Sequence, residues 1–494
     1  MRLRLFLALT LAAAWSGTAW WHATKALPPG THVASPVCAV PAQELRFIAD
    51  ISAADGYGRP VVSQGIFDEV LGVVRRARRF IVLDYSRFGA AAGGGAGAPQ
   101  RRIAGELTDT LLTQLRAEPD LKVLFVTDPG NERYGAMRLP ELQLLRAAGV
   151  EVVPVRLDAL RDSNPLYSGL WRLALRWWDT PRAPFGVTAR RLNFKADERK
   201  LVIADDGGGA LVAVVTSANP LDAESGWSNA GVRVAGAALA PLLASELSLA
   251  RLSGWRGQSE SYSPAASAPT PATSPQTAAL GLPSGCAADP AGAAAGWARV
   301  QALTEGAIRT ALLERTDGAE RGDAIDVAMF HLADRAVTES LLAAARRGVA
   351  VRLILDPSED AERRTLGIPN QPLASELLAR SDGAIRVRWY RTHGERFHDS
   401  LVLIYGHDRL WLTLGSANLT RRALGDYNLE ANVAIEVARG AALAQDTLDY
   451  FNTLWNNRAA LGIEYTADFA VFADPSQSHY WLARLMEGAG LSTF

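Results

Sequence analysis

The feature that most constrains this chain is an internal repeat. "ERKLVIADDGGGALVAVVTSANP" (198–220) and "HDSLVLIYGHDRLWLTLGSANL" (398–419) each read as a strand, a turn and a strand, ending in Ser-Ala-Asn. Asn219 is followed ten residues later by Asn229, and Asn418 ten residues later by Asn428. Upstream, strand-like "FIVLDYSRF", "LKVLFVTDP" and "VEVVPV" alternate with helical "GIFDEVLGVVRRARRF", "AGELTDTLLTQLRAEP" and "LPELQLLRAAG". Later, "IDVAMF", "VAVRLILDP" and "IRVRWY" alternate with "RAVTESLLAAARRG" and "ASELLARSDG". A strand–helix–strand–helix order buries both faces of a sheet and favours parallel pairing. The repeat therefore predicts an α/β fold of two similar halves, each a mainly parallel sheet flanked by helices.

The halves are set at 40–255 and 297–460, with a C-terminal extension over 461–494. Between them, 256–296 is rich in Pro, Ala, Ser and Gly and reads as a linker. The chain has 494 residues, enough for two or three domains, and its 48% hydrophobic and 21% charged content is that of a globular protein. With 51 Lys and Arg against 52 Asp and Glu, it offers no global basic field to a nucleic acid, although a local cleft can still be positive.

Residues 1–24 stand apart. Arg2 and Arg4 precede an apolar run from Leu5 to Trp21, the pattern of an export signal. Cleavage after Ala19, with Gly17 at the −3 position, would satisfy the small-residue rule. The run is also about as long as a short membrane span, with Trp20 and Trp21 suited to the interface. Cleaved signal and uncleaved anchor remain alternatives; in both, the body is exported to a periplasmic or other extracytoplasmic space. In an oxidising compartment the two cysteines, Cys38 and Cys286, could bridge or remain free.

The motifs ending each repeat resemble those of the phospholipase D superfamily, whose members carry two His-x-Lys-x4-Asp motifs, each followed by Gly-Ser-x-Asn and Asn-x-Glu. The resemblance spans roughly 40–460, apart from the linker and an insert. It implies halves related by a pseudo-twofold axis that pool their motifs in one active site. Gly415-Ser416-Ala417-Asn418 matches fully, but the catalytic motifs are eroded. The first half keeps Lys200 and Asp205, with Glu198 in place of histidine. The second keeps His398, with Ser400 and Tyr405 in place of lysine and aspartate. Asn428-Leu429-Glu430 is present; its counterpart reads Asn229-Ala230-Gly231.

Carried over residue by residue, the resemblance makes His398 the nucleophile, oriented by Glu430 of its own half. Lys200 binds phosphate, and Glu198 stands where the general acid belongs. Asn219, Asn418, Ser217 and Ser416 face the substrate, while Asp205, Asn229 and Asn428 are structural. Loss of a glutamate beside the lost histidine, and its retention beside His398, fits a histidine that needs a carboxylate to fix its tautomer. The implied activity is a phosphodiesterase or phosphatidyl transferase acting on a phospholipid or similar phosphodiester, without cofactor or metal. The alternatives are a catalytically weakened phosphate- or lipid-binding or structural protein of the same fold, and a nuclease. No partner protein is indicated.

Two further stretches bear on partners. "SGLWRLALRWWDTPR" (168–182) places Leu170, Trp171, Leu173, Ala174, Trp177 and Trp178 largely on one helical face beside Arg172 and Arg176, which suits either a membrane surface or core packing. "VVRRARRF" (73–80) reads as a solvated helix end.

Overall fold

The structure is a computed structural model that describes residues 2–90, 101–177, 186–263, 286, 296–357, 370–458, 462–474 and 476–492. Most of the linker, and Trp178, lie outside the described residues.

Among the described residues, seventeen strands form two sheets. The first half supplies β1 (Cys38–Pro41), β2 (Leu45–Ala54), β3 (Pro60–Ser63), β4 (Phe80–Tyr85), β5 (Lys122–Thr127), β6 (Glu151–Pro154), β7 (Lys200–Asp205), β8 (Leu211–Thr216) and β9 (Asn229–Ala235). The second supplies β10 (Trp297–Thr304), β11 (Ala324–Met329), β12 (Ala350–Leu355), β13 (Ile385–Tyr390), β14 (Ser400–Tyr405), β15 (Arg409–Gly415) and β16 (Ala431–Ala438), and the C-terminal extension adds β17 (Thr466–Asp468). The orders are β3-β2-β9-β8-β7-β4-β5-β6 and β1-β10-β16-β15-β14-β11-β12-β13-β17. The run β2-β9-β8-β7-β4-β5-β6 in one sheet is thus repeated as β10-β16-β15-β14-β11-β12-β13 in the other.

Among the described strands, β4–β6 and β11–β13 pair in parallel, and the paired segments β7–β9 and β14–β16 are antiparallel. Each sheet is therefore mixed rather than mainly parallel. The turns 206–210 and 406–408 are too short for the crossover that parallel neighbours need. In the first of them Gly207 and Gly209 take positive φ, and the Asp206 carboxylate accepts from the Gly208 and Ala210 backbone N–H groups. "DDGGGA" is thus the hairpin turn its glycines suggest.

One hydrophobic core is common to the two sheets. It contains Val82, Leu124 and Val215 from the first with Leu403, Leu412 and Val433 from the second. Separate clusters under the helices close the outer face of each half. The segment before β2 crosses over: β1 pairs with β10 at the edge of the second sheet, and Cys38 is disulfide-bonded to Cys286 of the linker, with the Cα atoms 5.5 Å apart. An N-terminal helix, Arg2–Thr24, lies against an insert helix, Pro165–Leu173. Trp15 Nε1 donates to the Leu166 carbonyl, and a Cβ at Gly169 would strike Trp15 and Ala19.

Asp205 shows what the aspartate of the motif is for. It is 1% exposed and accepts from the backbone N–H groups of Arg78, Arg79 and Phe80 at 2.8–3.2 Å and of Gly207 at 3.1 Å. It fixes the turn into β4. Tyr405, its counterpart, donates to Asp326 at 2.8 Å beside Arg352, which grips the same carboxylate. Asp205→Ala is expected to cost about 3 kcal/mol, because several buried N–H groups lose a charged acceptor. A denaturant melt of the variant checks this; an unchanged midpoint would remove Asp205 from the scaffold.

Candidate active site

The two motif segments are laced together crosswise. The Glu198 N–H donates to the Leu429 carbonyl at 2.9 Å, and the His398 N–H donates to the Ser228 carbonyl at 2.7 Å. Asp197 pairs with Leu429 and Ser228 with Phe397 in parallel bridges. The chain entering β7 therefore lies beside the chain entering β16, and the chain entering β14 beside the chain entering β9. This is a pseudo-twofold arrangement, and it brings four loop ends to one place.

The register corrects the sequence alignment. Ser217 N–H donates to the Ala230 carbonyl at 2.9 Å, and Ser416 N–H donates to the Ala431 carbonyl at 3.0 Å. Ser217 Oγ donates to Asn229 at 3.1 Å; Ser416 Oγ donates to Glu430 at 2.5 Å. Asn229 therefore corresponds to Glu430, not to Asn428. The equal ten-residue offsets are a coincidence: Ser416 lies fourteen residues before Glu430, but Ser217 only twelve before Asn229. The longer second loop accommodates a short helix, Arg421–Leu424.

The pairing of histidine and carboxylate changes with it. His398 Nδ1 lies 3.1 Å from Asn229 Oδ1, across the halves, and it is Asn229 rather than Glu430 that faces the ring. Glu430 sits with Glu198, the residue in the place of the missing histidine: Leu429 holds the Glu198 backbone, and the two carboxyls act on each other. The surviving histidine has thus lost its acid, and the surviving acid has lost its histidine. Sequence order concealed this, because each partner comes from the opposite half.

Asn229 also fixes the tautomer. Its Nδ2 donates to the Trp227 carbonyl at 3.2 Å, so Oδ1 is the acceptor and takes the proton on His398 Nδ1. The lone pair is left on Nε2. The ring is partly buried, flanked by Trp227 and Phe330 with centroids at 5.3 and 4.7 Å. Burial, followed by Lys200, Arg87, Arg396 and His331, holds its pKa well below the usual imidazole value. The expected result is a ring that stays neutral and Nδ1-protonated on the acid side of neutrality, where an ordinary histidine becomes charged. Nitrogen-15 NMR of the imidazole checks this, and protonation near pH 6.5 would contradict it.

Lys200 is 2% exposed and donates to the Glu198 carbonyl at 2.8 Å and to its Oε2 at 3.3 Å. Burial alone would raise the pKa of Glu198, but Lys200, Arg87 and Arg422 hold it below the usual carboxylate range. Glu430 is 1% exposed, and burial, joined by Glu198, pushes it up to about 8 despite Lys200. One carboxyl of the pair is therefore charged and the other carries a proton at neutral pH.

The four residues assigned to substrate hold the frame. Asn219 Oδ1 accepts from Ser86 Oγ and the Arg87 N–H, and its Nδ2 donates to Glu224. Asn418 Oδ1 accepts from the His331 N–H at 3.3 Å. Ser217 and Ser416 hold Asn229 and Glu430, as above. Asn428 accepts from Arg422 and bonds Glu430.

Sequence reasoning missed three cations. Arg87 follows β4 and is ion-paired to Glu224 at 2.5 Å; its charge acts on Glu198 and His398. Arg422 is 8% exposed and acts on Glu198 and Glu430. Arg396 lies over the Trp227 ring at 5.0 Å and acts on His398. Arg422 could have been noticed as a basic residue inside the motif loop. Arg87 could have been found only by matching strand ends, where it stands opposite His331.

Such a constellation, a neutral imidazole among cations at the seam of two like halves, suits attack on a phosphorus centre. The fold is that of the phospholipase D superfamily, and residues 312–455 match the family model described as cardiolipin synthase, PLD-like domain. The second half of the chain thus carries a phospholipase-D-like domain. Phosphatidylserine synthase of Haemophilus influenzae Rd KW20 superposes with TM-score 0.53 at 12% identity, covering 92% of this chain and 94% of that one. Nuc, a phospholipase D family member from Salmonella typhimurium, matches with TM-score 0.26 at 20% identity over 35% of this chain and 97% of its own. No curated protein matches the sequence.

Proposed function

We propose that this protein cleaves or transfers a phosphodiester of a phospholipid, using His398 Nε2 as nucleophile. The observation that carries this reading is the Asn229–His398 bond, which leaves Nε2 unprotonated beside Lys200. In the reaction Nε2 attacks phosphorus, an N–P bond forms, and the P–O bond to the leaving alcohol breaks. Lys200, Arg87 and Arg422 offset the charge on the phosphoryl oxygens. Arg422 also stands in for the lysine missing at Ser400. Attack by water or a second alcohol then frees His398.

The leaving alcohol needs a proton. In the free site Glu430 holds it and Glu198 is charged. An anionic phosphate beside Lys200 and the arginines opposes the effect that keeps Glu198 ionised. The proton then passes from Glu430 to Glu198 and on to the departing oxygen, the two carboxyls working as an acid pair. Below about pH 8 Glu430 is protonated and the donor is loaded; as pH rises through that value the proton is lost, and the rate falls with it. The same raised pKa contributes stability that is fully present below the ordinary carboxyl value of 4.5 and is lost progressively as pH rises from there to about 8.

The N-terminal helix has the length and apolarity of a membrane span or an export signal. We read the body as exported, in keeping with the Cys38–Cys286 disulfide. A second reading, a weakened protein that binds phosphate without turnover, draws support from the charged Glu198 in the acid position. Assaying the purified full chain for alcohol release from a phospholipid separates the two. Release that disappears in His398→Ala supports the enzyme; equal rates in both proteins support the binder.

A further inference from the structure

The C-terminal helix Gln477–Ala489 has no buried residue and exposes Trp481 at 64% and Leu485 at 64%. It is tied to the rest of the molecule at its end. Glu487 accepts from the Arg421 N–H at 2.6 Å, one residue from Arg422 of the site, and Gly490 rests against the Ser163 carbonyl. Ser163 leads into the insert helix, which exposes Leu166 at 55%, Leu170 at 48% and, just beyond its end, Trp177 at 75%. The N-terminal helix packs on that insert through Trp15 and Ala19, near its C-terminal end. Its first half runs clear of the body, with Leu5, Phe6 and Leu9 each more than 60% exposed.

We propose that these three helices form one membrane-docking face that seats the catalytic seam on a phospholipid bilayer with anionic headgroups. Three features select a bilayer over another protein. The N-terminal helix is about 34 Å long at 1.5 Å per residue, against a hydrocarbon core of about 30 Å, so a bilayer holding it lies beside the insert helix. The exposed side chains are Trp and Leu, as on helices that lie in an interface. Cations accompany the aromatic rings on both partner helices: Arg176 lies 5.7 Å over Trp177 and Arg484 5.6 Å over Tyr480, the spacing at which a guanidinium can reach headgroup phosphate while the ring stays in the acyl boundary. The link through Arg421 then sets the docked helices next to Arg422, whose charge acts on Glu198 and Glu430. The contact does not depend on the proposed reaction; only its use for a lipid substrate does.

The full chain is reconstituted in phosphatidylcholine–phosphatidylglycerol vesicles, with and without brominated acyl chains. Bromine is expected to quench the wild type, and Trp177→Phe and Trp481→Phe are each expected to lose part of the quenched signal. Equal quenched signal in both variants and the wild type would overturn the proposal, as would self-association of the chain with Trp177 and Trp481 unquenched, which would assign the face to a second copy. A second measurement uses Leu170→Glu with Leu485→Glu, both outside the site. A rate on vesicle lipid lowered about tenfold, with the rate on a water-soluble phosphodiester kept, supports docking; an unchanged rate on vesicles speaks against it. If neither substrate is turned over by wild type, the proposed reaction fails while the quenching result still decides the docking.

Discussion

Replacing His398 with alanine is expected to remove phosphodiester turnover, by on the order of 10⁴–10⁶-fold, the scale on which an isolated nucleophile is lost. The loss belongs in kcat, because Lys200, Arg87 and Arg422 remain to hold the phosphate. The fold should be unaffected: the structural bond from this residue is its backbone N–H to the Ser228 carbonyl, which alanine keeps. Initial rates on a phospholipid and on a soluble diester check the prediction, together with a melt to confirm folding. A residual rate within tenfold of wild type would mean that the chemistry does not pass through this imidazole.

Glu198→His is expected to raise the rate by about 10²–10⁴-fold, the usual contribution of a well-placed general acid. The structure gives a reason for so large a gain from one change. The carboxylate that such a histidine needs is already present as Glu430, held by Ser416 and Asn428. The new imidazole would find its orienting partner across the halves, as His398 finds Asn229. Asn229→Glu acts on the other half of the pair by giving His398 a basic partner, and its expected signature is a higher pKa for that ring. Tyr405→Asp adds nothing, since Asp205 serves a turn and Tyr405 has its own bond to Asp326. Rates for the single and double variants decide this. No gain in Glu198→His would show that the acid step is already met by the carboxyl pair.

The repeat carried most of the fold. Apolar runs at β4, β5, β7 and β8 marked their strands, and the same runs recur in the second half with the same order. What it did not carry was strand direction, because a buried run is apolar whether its neighbour is parallel or antiparallel. The site was legible as residue types but not as partners. His398, Lys200, Glu198 and Glu430 all stand in the seam. The link from His398 to Asn229, however, spans 169 positions and depends on how the halves face one another. Equal offsets in sequence hid a two-residue difference in loop length. Arg87 carries no motif at all and enters the seam only because β4 ends there.

The most direct measurement is covalent trapping. The full chain is mixed with a phospholipid labelled on phosphorus, quenched in alkali, where an N–P bond to imidazole survives, and digested for mass spectrometry. The expected result is one labelled peptide carrying the phosphoryl group on His398, absent from His398→Ala and formed more slowly above about pH 8, where Glu430 has lost its proton. Turnover with no label on His398, or label on another side chain, would contradict a histidine nucleophile at the seam of the two halves.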